Sequence, residues 1–123
     1  MRGKKISILG LTYTTNTDTL RRSAAVELCQ QLLAAGVKVS AFDPAVKVLP
    51  PELSSVSLAA DISTALAGAE AVAVCTEWPQ FRQADWAEIV SHMSLPVFVD
   101  ANRFLEKELK TIARVEHLSV GRA

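Results

Sequence analysis

Three short stretches of polar and charged residues stand out in this sequence, and each directly follows a run of apolar residues. The first, residues 12–22, combines threonines, an asparagine and an aspartate with the adjacent pair Arg21 and Arg22. Hydroxyl, amide and guanidinium groups suit phosphate oxygens, and the start of a following helix would add backbone N–H donors. The same residues equally suit a solvated loop in which Asp18 and the threonines cap turns. Composition alone leaves these two interpretations open.

The other two stretches follow apolar runs further along the chain. Glu77 is followed by Trp78, whose indole could stack on a base or instead cover the edge of a sheet. Asp100 ends another apolar run, and the guanidinium of Arg103 could reach a phosphate or pair with Asp100. Each stretch therefore has one interpretation as a ligand site and one as a structural element.

No set of residues in the sequence is typical of a catalytic or metal centre. Cys29 falls on the apolar face of a predicted helix and Cys75 in a predicted central strand, so both are expected to be inert, buried thiols. His92 and His117 are not at metal-ligand spacing with each other or with either cysteine, and are expected at the surface or on an edge strand. We therefore predict neither a catalytic residue nor a bound metal.

A dinucleotide-binding loop is not predicted either. Such a loop requires G-x-G-x-x-G after the first strand, and here Gly10 stands alone. Asp43 occupies the position at which these folds hold a ribose hydroxyl, but beside Pro44 it is expected to start a turn. We expect the isolated chain to bind no cofactor.

Length and composition define the class of protein. The 123 residues are expected to form one domain over residues 1–123. Hydrophobic residues make up 50% of the chain and charged residues 21%, which is typical of a globular fold. The 13 basic residues balance the 13 acidic ones, which argues against a nucleic-acid or membrane partner. Without a long apolar run, a signal peptide or a disulfide framework, we expect a soluble, cytoplasmic protein.

Alternating apolar runs and amphipathic stretches predict the elements that position these residues. The predicted strands are apolar runs bounded by turn residues, at 5–11, 37–42, 56–58, 71–75, 96–99 and 115–120. The predicted helices have apolar residues at three- and four-residue spacing, at 23–35, 61–66, 86–93 and 105–113. Asp61 or Ser63 is expected to cap the second helix.

This alternation predicts a Rossmann-like α/β fold. Parallel strands need crossover helices, so we expect a three-layer, doubly wound, mostly parallel sheet of five or six strands with helices on both faces. In such sheets ligands bind beyond the carboxyl ends of the strands, where the strand order reverses. That position brings residues 12–22 and 76–82 together, with residues 100–103 beside them.

Four segments of the sequence carry a resemblance to a known family. Residues 8–23, ILGLTYTTNTDTLRRS, are similar to the loop G-L-x-F-K-x-x-T-D-D-x-R-x-S. Residues 76–81, TEWPQF, are similar to T-E-W-x-x-F, and residues 99–103, VDANR, stand in place of D-G-R-N. Residues 118–122, LSVGR, resemble an ending G-I-G-R. In this order the motifs resemble the C-terminal domain of the UDP-glucose/GDP-mannose dehydrogenase family, over nearly the whole chain.

The resemblance implies a domain that closes over the UDP half of a nucleotide sugar. The family enzymes use NAD to oxidise the C6 alcohol of the sugar to a carboxylate. By position, Tyr13 and Thr14 correspond to an aromatic-lysine pair that contacts the nucleotide sugar. Arg21 corresponds to an arginine that reaches towards NAD, and Asn102 to an arginine near the nucleotide. The predicted substrate-binding residues are Tyr13, Thr14, Thr17, Glu77, Trp78, Asn102 and Arg103.

The resemblance also implies partners. The NAD-binding domain and the segment with the catalytic cysteine lie outside the matching motifs, so this chain would not be catalytically complete by itself. The expected partners are a UDP-sugar, those NAD-binding and central dehydrogenase domains in cis or in trans, and a second copy of the chain in a homodimer.

Two departures from the family motifs leave alternatives open. Thr14 replaces a lysine, and Asn102 replaces an arginine unless Arg103 takes its role by a shift of one residue. Each lost charge-assisted hydrogen bond would remove roughly 1.5–3 kcal/mol of phosphate affinity. One alternative is a diverged, stand-alone interaction or assembly domain that has lost nucleotide binding. A receiver-like signalling domain is disfavoured, because no cluster of acids follows the first strand.

Overall fold

The computed structural model describes residues 4–12, 24–100, 103–112 and 115–118, where six strands alternate with four α-helices. The strands are β1 (Lys5–Leu9), β2 (Lys38–Phe42), β3 (Ser57–Leu58), β4 (Ala71–Val74), β5 (Val97–Asp100) and β6 (Glu116–Leu118). The α-helices are α1 (Ala24–Ala34), α2 (Ile62–Leu66), α3 (Trp86–Ser91) and α4 (Glu106–Leu109). Short 3₁₀ helices span Pro51–Leu53 and Pro79–Gln83. None of the helices described is long and apolar enough to cross a membrane.

The strands form one sheet in the order β3-β2-β1-β4-β5-β6. Every neighbouring pair is parallel. The chain moves outward from β1 to β3 on one side and then crosses to β4 on the other, so the strand order reverses between β1 and β4. The prediction of a doubly wound α/β fold is confirmed, with six strands that are all parallel.

Alternate side chains of β1 point into two separate cores, one on each face of the sheet. Ile6 and Ile8 pack in one core with Cys29 of α1. Leu9 packs in the other with Leu66 of α2 and with residues of α3 and α4. Successive side chains of a strand face opposite sides of the sheet. Helix α1 therefore covers one face of the sheet, and α2, α3 and α4 cover the other. Burial raises the pKa of the Cys29 thiol from 9.0 to about 11, which fits the predicted inert thiol.

The start of α2 agrees with the sequence. Asp61 is the N-cap, and its Oδ1 accepts a hydrogen bond of 2.7 Å from Thr64 N. That bond favours the ionised carboxylate and lowers the pKa of Asp61. Asp85 caps α3 in the same way, accepting from Glu88 N at 3.3 Å.

The prediction for Cys75 is wrong: the residue lies after β4 rather than inside it, and its side chain is exposed. β4 ends at Val74, opposite the last residue of β1. There Leu9 O accepts hydrogen bonds from both Cys75 N (2.8 Å) and Thr76 N (3.3 Å). The chain therefore leaves the sheet after Val74, one residue before the predicted end of the strand. The predicted helix at 105–113 is also shorter, because α4 ends at Leu109.

Candidate functional site

The carboxyl ends of β1 and β4 lie in direct contact where the strand order reverses. Gly10 has a φ of +93°, and a Cβ atom added to it would lie 2.5 Å from both the Cβ and the backbone N of Thr76. A larger residue would overlap this backbone, and it would be strained in the left-handed region. Gly10 thus allows the chain that leaves β1 to pass directly against the chain that leaves β4.

The carboxylate of Asp43, directly after β2, joins the same strand ends. It is 2% exposed. Its Oδ2 accepts hydrogen bonds from Leu11 N (2.7 Å), Thr12 N (3.1 Å) and Trp78 Nε1 (3.1 Å), and Thr12 Oγ1 lies 3.2 Å away. Its Oδ1 accepts from Ala45 N at 2.8 Å, which confirms that Asp43 starts a turn. One buried carboxylate therefore couples the ends of β1, β2 and β4.

Thr76 completes this arrangement. Its Oγ1 donates a hydrogen bond of 2.6 Å to Thr12 O, and both residues are buried. We refer to Gly10, Thr12, Asp43, Thr76 and Trp78 as the polar floor. The floor lies at the carboxyl ends of β1, β2 and β4, and its hydrogen bonds hold Leu11 and Thr12.

The described residues do not fit NAD in the manner of a dinucleotide-binding fold. The space beside Gly10 is filled by the backbone of Thr76. Both oxygens of Asp43 already accept hydrogen bonds from the protein, and the side chain is buried, so it offers no acceptor to a ribose. Within the described residues no group of three His, Cys, Asp or Glu side chains could hold a metal ion.

Asp100, the last residue of β5, binds two residues that follow it in the chain, at the same edge of the sheet. We refer to this arrangement of Asp100, Arg103 and Leu105 as the turn after β5. Asp100 O accepts a hydrogen bond from Arg103 N (2.9 Å), and Asp100 Oδ2 accepts from Leu105 N (2.8 Å). Arg103 has a φ of +54°, which is unusual for a residue other than glycine. The guanidinium Nε of Arg103 lies 3.3 Å from Glu106 Oε1, and His117 Nε2 lies 3.0 Å from Asp100 Oδ2.

A cavity of about 360 Å³ lies beside this turn. Its lining residues are mostly charged, and they are Arg82, Arg103, Phe104, Glu106, Lys107 and Glu108. The Arg82 guanidinium carbon lies 4.1 Å from the centre of the Phe104 ring, and Arg82 Nε donates a hydrogen bond of 3.3 Å to Phe104 O. Sequence reasoning did not select Arg82, although it directly follows the T-E-W-x-x-F segment.

The predicted substrate residues divide into two groups. Tyr13, Thr14, Thr17, Arg21 and Asn102 lie outside the described residues. Glu77 and Arg103 are half-buried at the ends of neighbouring strands. Trp78 is only 6% exposed and donates to Asp43, so it has the covering position that the sequence left open. A role of these residues in ligand binding stays a prediction.

A parallel sheet whose strand order reverses between β1 and β4, with the polar floor at that point, is typical of a Rossmann-like α/β domain. Solved structures share this fold even at low identity. The 3-hydroxyisobutyrate dehydrogenase from Mycobacterium tuberculosis matches 95% of this chain and 39% of its own, with a TM-score of 0.60 at 17% identity. At that identity only the fold is shared.

A second group of relatives is similar in sequence as well. Residues 7–107 match the family model of the UDP-glucose/GDP-mannose dehydrogenase family, UDP binding domain. A UDP-glucose 6-dehydrogenase from Rhizobium meliloti (strain 1021) is 34% identical over 99% of this chain and 28% of that protein. A UDP-glucose dehydrogenase structure from Pyrobaculum islandicum matches 100% of this chain and 26% of its own, with a TM-score of 0.76 at 30% identity. The chain belongs to this dehydrogenase family, and the part of the family that it matches is the UDP binding domain.

The chain spans little more than a quarter of the length of these relatives. The UDP-glucose 6-dehydrogenase from Rickettsia prowazekii (strain Madrid E), for example, is 32% identical over 98% of this chain but only 29% of its own length.

Proposed function

We propose that residues 1–123 form one domain that binds the UDP half of a UDP-sugar within an NAD-dependent nucleotide-sugar 6-dehydrogenase. The observation that carries the proposal is the close contact between Gly10 and Thr76, where the strand order reverses between β1 and β4, in a chain of the UDP binding domain family. A crevice at the reversal of strand order is where doubly wound sheets bind nucleotides. The turn that carries Arg103 follows the next strand, at the same edge.

The diphosphate of the ligand requires positive charge, and two arginines that follow β4 and β5 are candidates to supply it. Arg103 and Arg82 line one cavity, and Arg82 is held in place by the ring and carbonyl of Phe104. A guanidinium can donate two hydrogen bonds to one phosphate. We infer that Arg103 supplies the charge that Asn102 lacks, while Tyr13, Thr14 and Thr17 contact the nucleotide sugar.

The proposed reaction needs parts beyond this chain. The NAD-binding and central dehydrogenase domains would supply the cofactor and the catalytic cysteine, in cis or in trans, and Arg21 would reach towards NAD from this domain. The described cysteines, Cys29 and Cys75, form no disulfide, which is typical of a reducing compartment such as the cytoplasm.

Replacing Arg103 by glutamine is expected to weaken UDP binding by roughly tenfold or more, because one charge-assisted hydrogen bond contributes about 1.5–3 kcal/mol. Uridine, which has no phosphate, should bind to the wild type and the variant equally. The measurement is equilibrium dialysis of the full chain with labelled UDP and labelled uridine.

The matched control is Lys110→Gln, which removes one positive charge from an exposed position seven residues away, outside the cavity. It should leave UDP affinity unchanged. Equal losses in the two variants would show a general effect of charge and would contradict a phosphate contact at Arg103. A wild-type chain that binds neither ligand would favour the alternative of a diverged assembly domain.

A further inference from the structure

His117 is partly buried against a carboxylate, although the sequence places it on an edge strand. It pairs with Phe98 in the register of β5 and β6, so it faces the same side of the sheet as Asp100, two residues beyond Phe98. Its side chain is 10% exposed, that of Asp100 is 1% exposed, and Nε2 lies 3.0 Å from Asp100 Oδ2. An ionised carboxylate can only accept, so Nε2 carries the hydrogen of this bond.

Asp100 also accepts hydrogen bonds from two residues of the turn after β5, Arg103 and Leu105. Its backbone carbonyl accepts from Arg103 N, and its Oδ2 accepts from Leu105 N as well as from His117. Its other oxygen, Oδ1, is buried and has no hydrogen-bond partner within the described residues. A buried carboxylate depends strongly on the donors that it has. Among the described residues, His117 supplies the side-chain donor.

The turn needs such support because Arg103 has a left-handed backbone. A residue other than glycine adopts a φ of +54° only where its surroundings hold it there. The hydrogen bonds from Arg103 N and Leu105 N to Asp100 hold the backbone at Arg103 and two residues beyond it. The direction of the Arg103 side chain is therefore linked through Asp100 to His117.

We propose that His117 and Asp100 are positioning residues, which hold the turn after β5 in the conformation that presents Arg103 to the phosphates of the ligand. The part that concerns the ligand rests on the proposed function. The part that concerns the turn does not, because it can be measured without ligand. Neither residue needs to touch the nucleotide for this role.

The turn is tested first in the free protein. Replacing His117 by leucine removes the donor, whereas His117→Gln places an amide N–H near the position of Nε2. We expect amide hydrogen exchange at Leu105 N and Arg103 N to be accelerated about tenfold in His117→Leu, as for the loss of one hydrogen bond, and to be restored in His117→Gln. Glu116→Gln, on the same strand but facing the other side of the sheet, is the control and should leave this exchange unchanged.

Binding is then measured with two ligands. The Kd for UDP should rise about tenfold in His117→Leu and return in His117→Gln, while the Kd for uridine stays constant, because only the phosphates contact Arg103. A rise of the Kd for UDP and the Kd for uridine by the same factor would indicate general destabilisation of the site. That result would overturn the positioning role. If His117→Leu does not fold, Asp100→Asn tests the same link, since it weakens the acceptor of Leu105 N and His117 together, and the same results are expected.

The outcomes separate the two proposals. Unchanged exchange at Leu105 and Arg103 in a folded His117→Leu or Asp100→Asn variant would overturn this inference, whether or not UDP binds. A wild-type chain without UDP affinity would refute the proposed function, and with it the presentation of Arg103 to a ligand. Amide exchange in the free protein would still decide whether His117 holds the turn.

Discussion

Replacing Gly10 by alanine is expected to lower the free energy of unfolding by about 2–5 kcal/mol, since two costs combine. The first is the left-handed backbone, with a φ of +93°, which costs a residue with a Cβ about 1–2 kcal/mol. The second is steric: the new Cβ would lie 2.5 Å from the Cβ and the backbone N of Thr76. Forcing β1 and β4 apart at this point costs about 1–3 kcal/mol, as for other overpacked sites.

Gly68→Ala is the matched control for this prediction. Gly68 has a φ of +74°, but nothing lies within 4 Å of the Cβ that would be added. It should therefore cost only the backbone term, about 1–2 kcal/mol. Urea unfolding followed by the fluorescence of the buried Trp78 and Trp86 measures both variants. Equal costs for the two glycines would contradict the tight contact between Gly10 and Thr76.

Replacing Asp43 by alanine is expected to cost about 3–5 kcal/mol, because it removes the acceptor of several buried N–H donors at once. The change would leave the N–H groups of Leu11, Thr12 and Trp78 without their acceptor in a buried site. Each unsatisfied buried donor costs about 1–3 kcal/mol, partly relieved by water that enters the space. The loss should also alter the fluorescence of Trp78, whose indole N–H donates to this carboxylate.

The control for Asp43 is Asp85→Ala. Asp85 is also an aspartate that accepts a backbone N–H, but it is exposed and caps α3 through a single bond to Glu88 N. Loss of such a cap costs about 1 kcal/mol. If urea unfolding gave the same cost for both variants, Asp43 would not couple the strand ends as described.

The fold could be predicted from the sequence because its strands and helices each follow a local pattern of apolar and polar residues. The apolar runs that became β1, β4 and β5 and the amphipathic stretch of α1 are each visible within a window of about a dozen residues. The cap at Asp61 and the turn at Asp43 follow from residue type and neighbours alone. The parallel arrangement of the strands then follows from their alternation with helices, because each parallel pair needs a crossover connection.

The contacts of the candidate site could not be predicted in the same way, because they join residues far apart in the chain. Asp43 and Trp78 are separated by 35 positions, and no local pattern connects them. The pairing of His117 with Asp100 depends on the register of β6 against β5, which a short strand with mixed polarity does not specify. Cys75 was misplaced for a related reason: the end of β4 is set by the end of β1, not by its own apolar run.

Amide chemical-shift mapping of the full chain with UDP would show whether the carboxyl ends of β1, β4 and β5 form a nucleotide site. We predict that UDP shifts the amides of Leu11, Thr12, Thr76 and Arg103, while Lys5 and Lys38, at the opposite edge of the sheet, stay unchanged. No shifts at millimolar UDP, or shifts confined to the edge with Lys5 and Lys38, would contradict such a site.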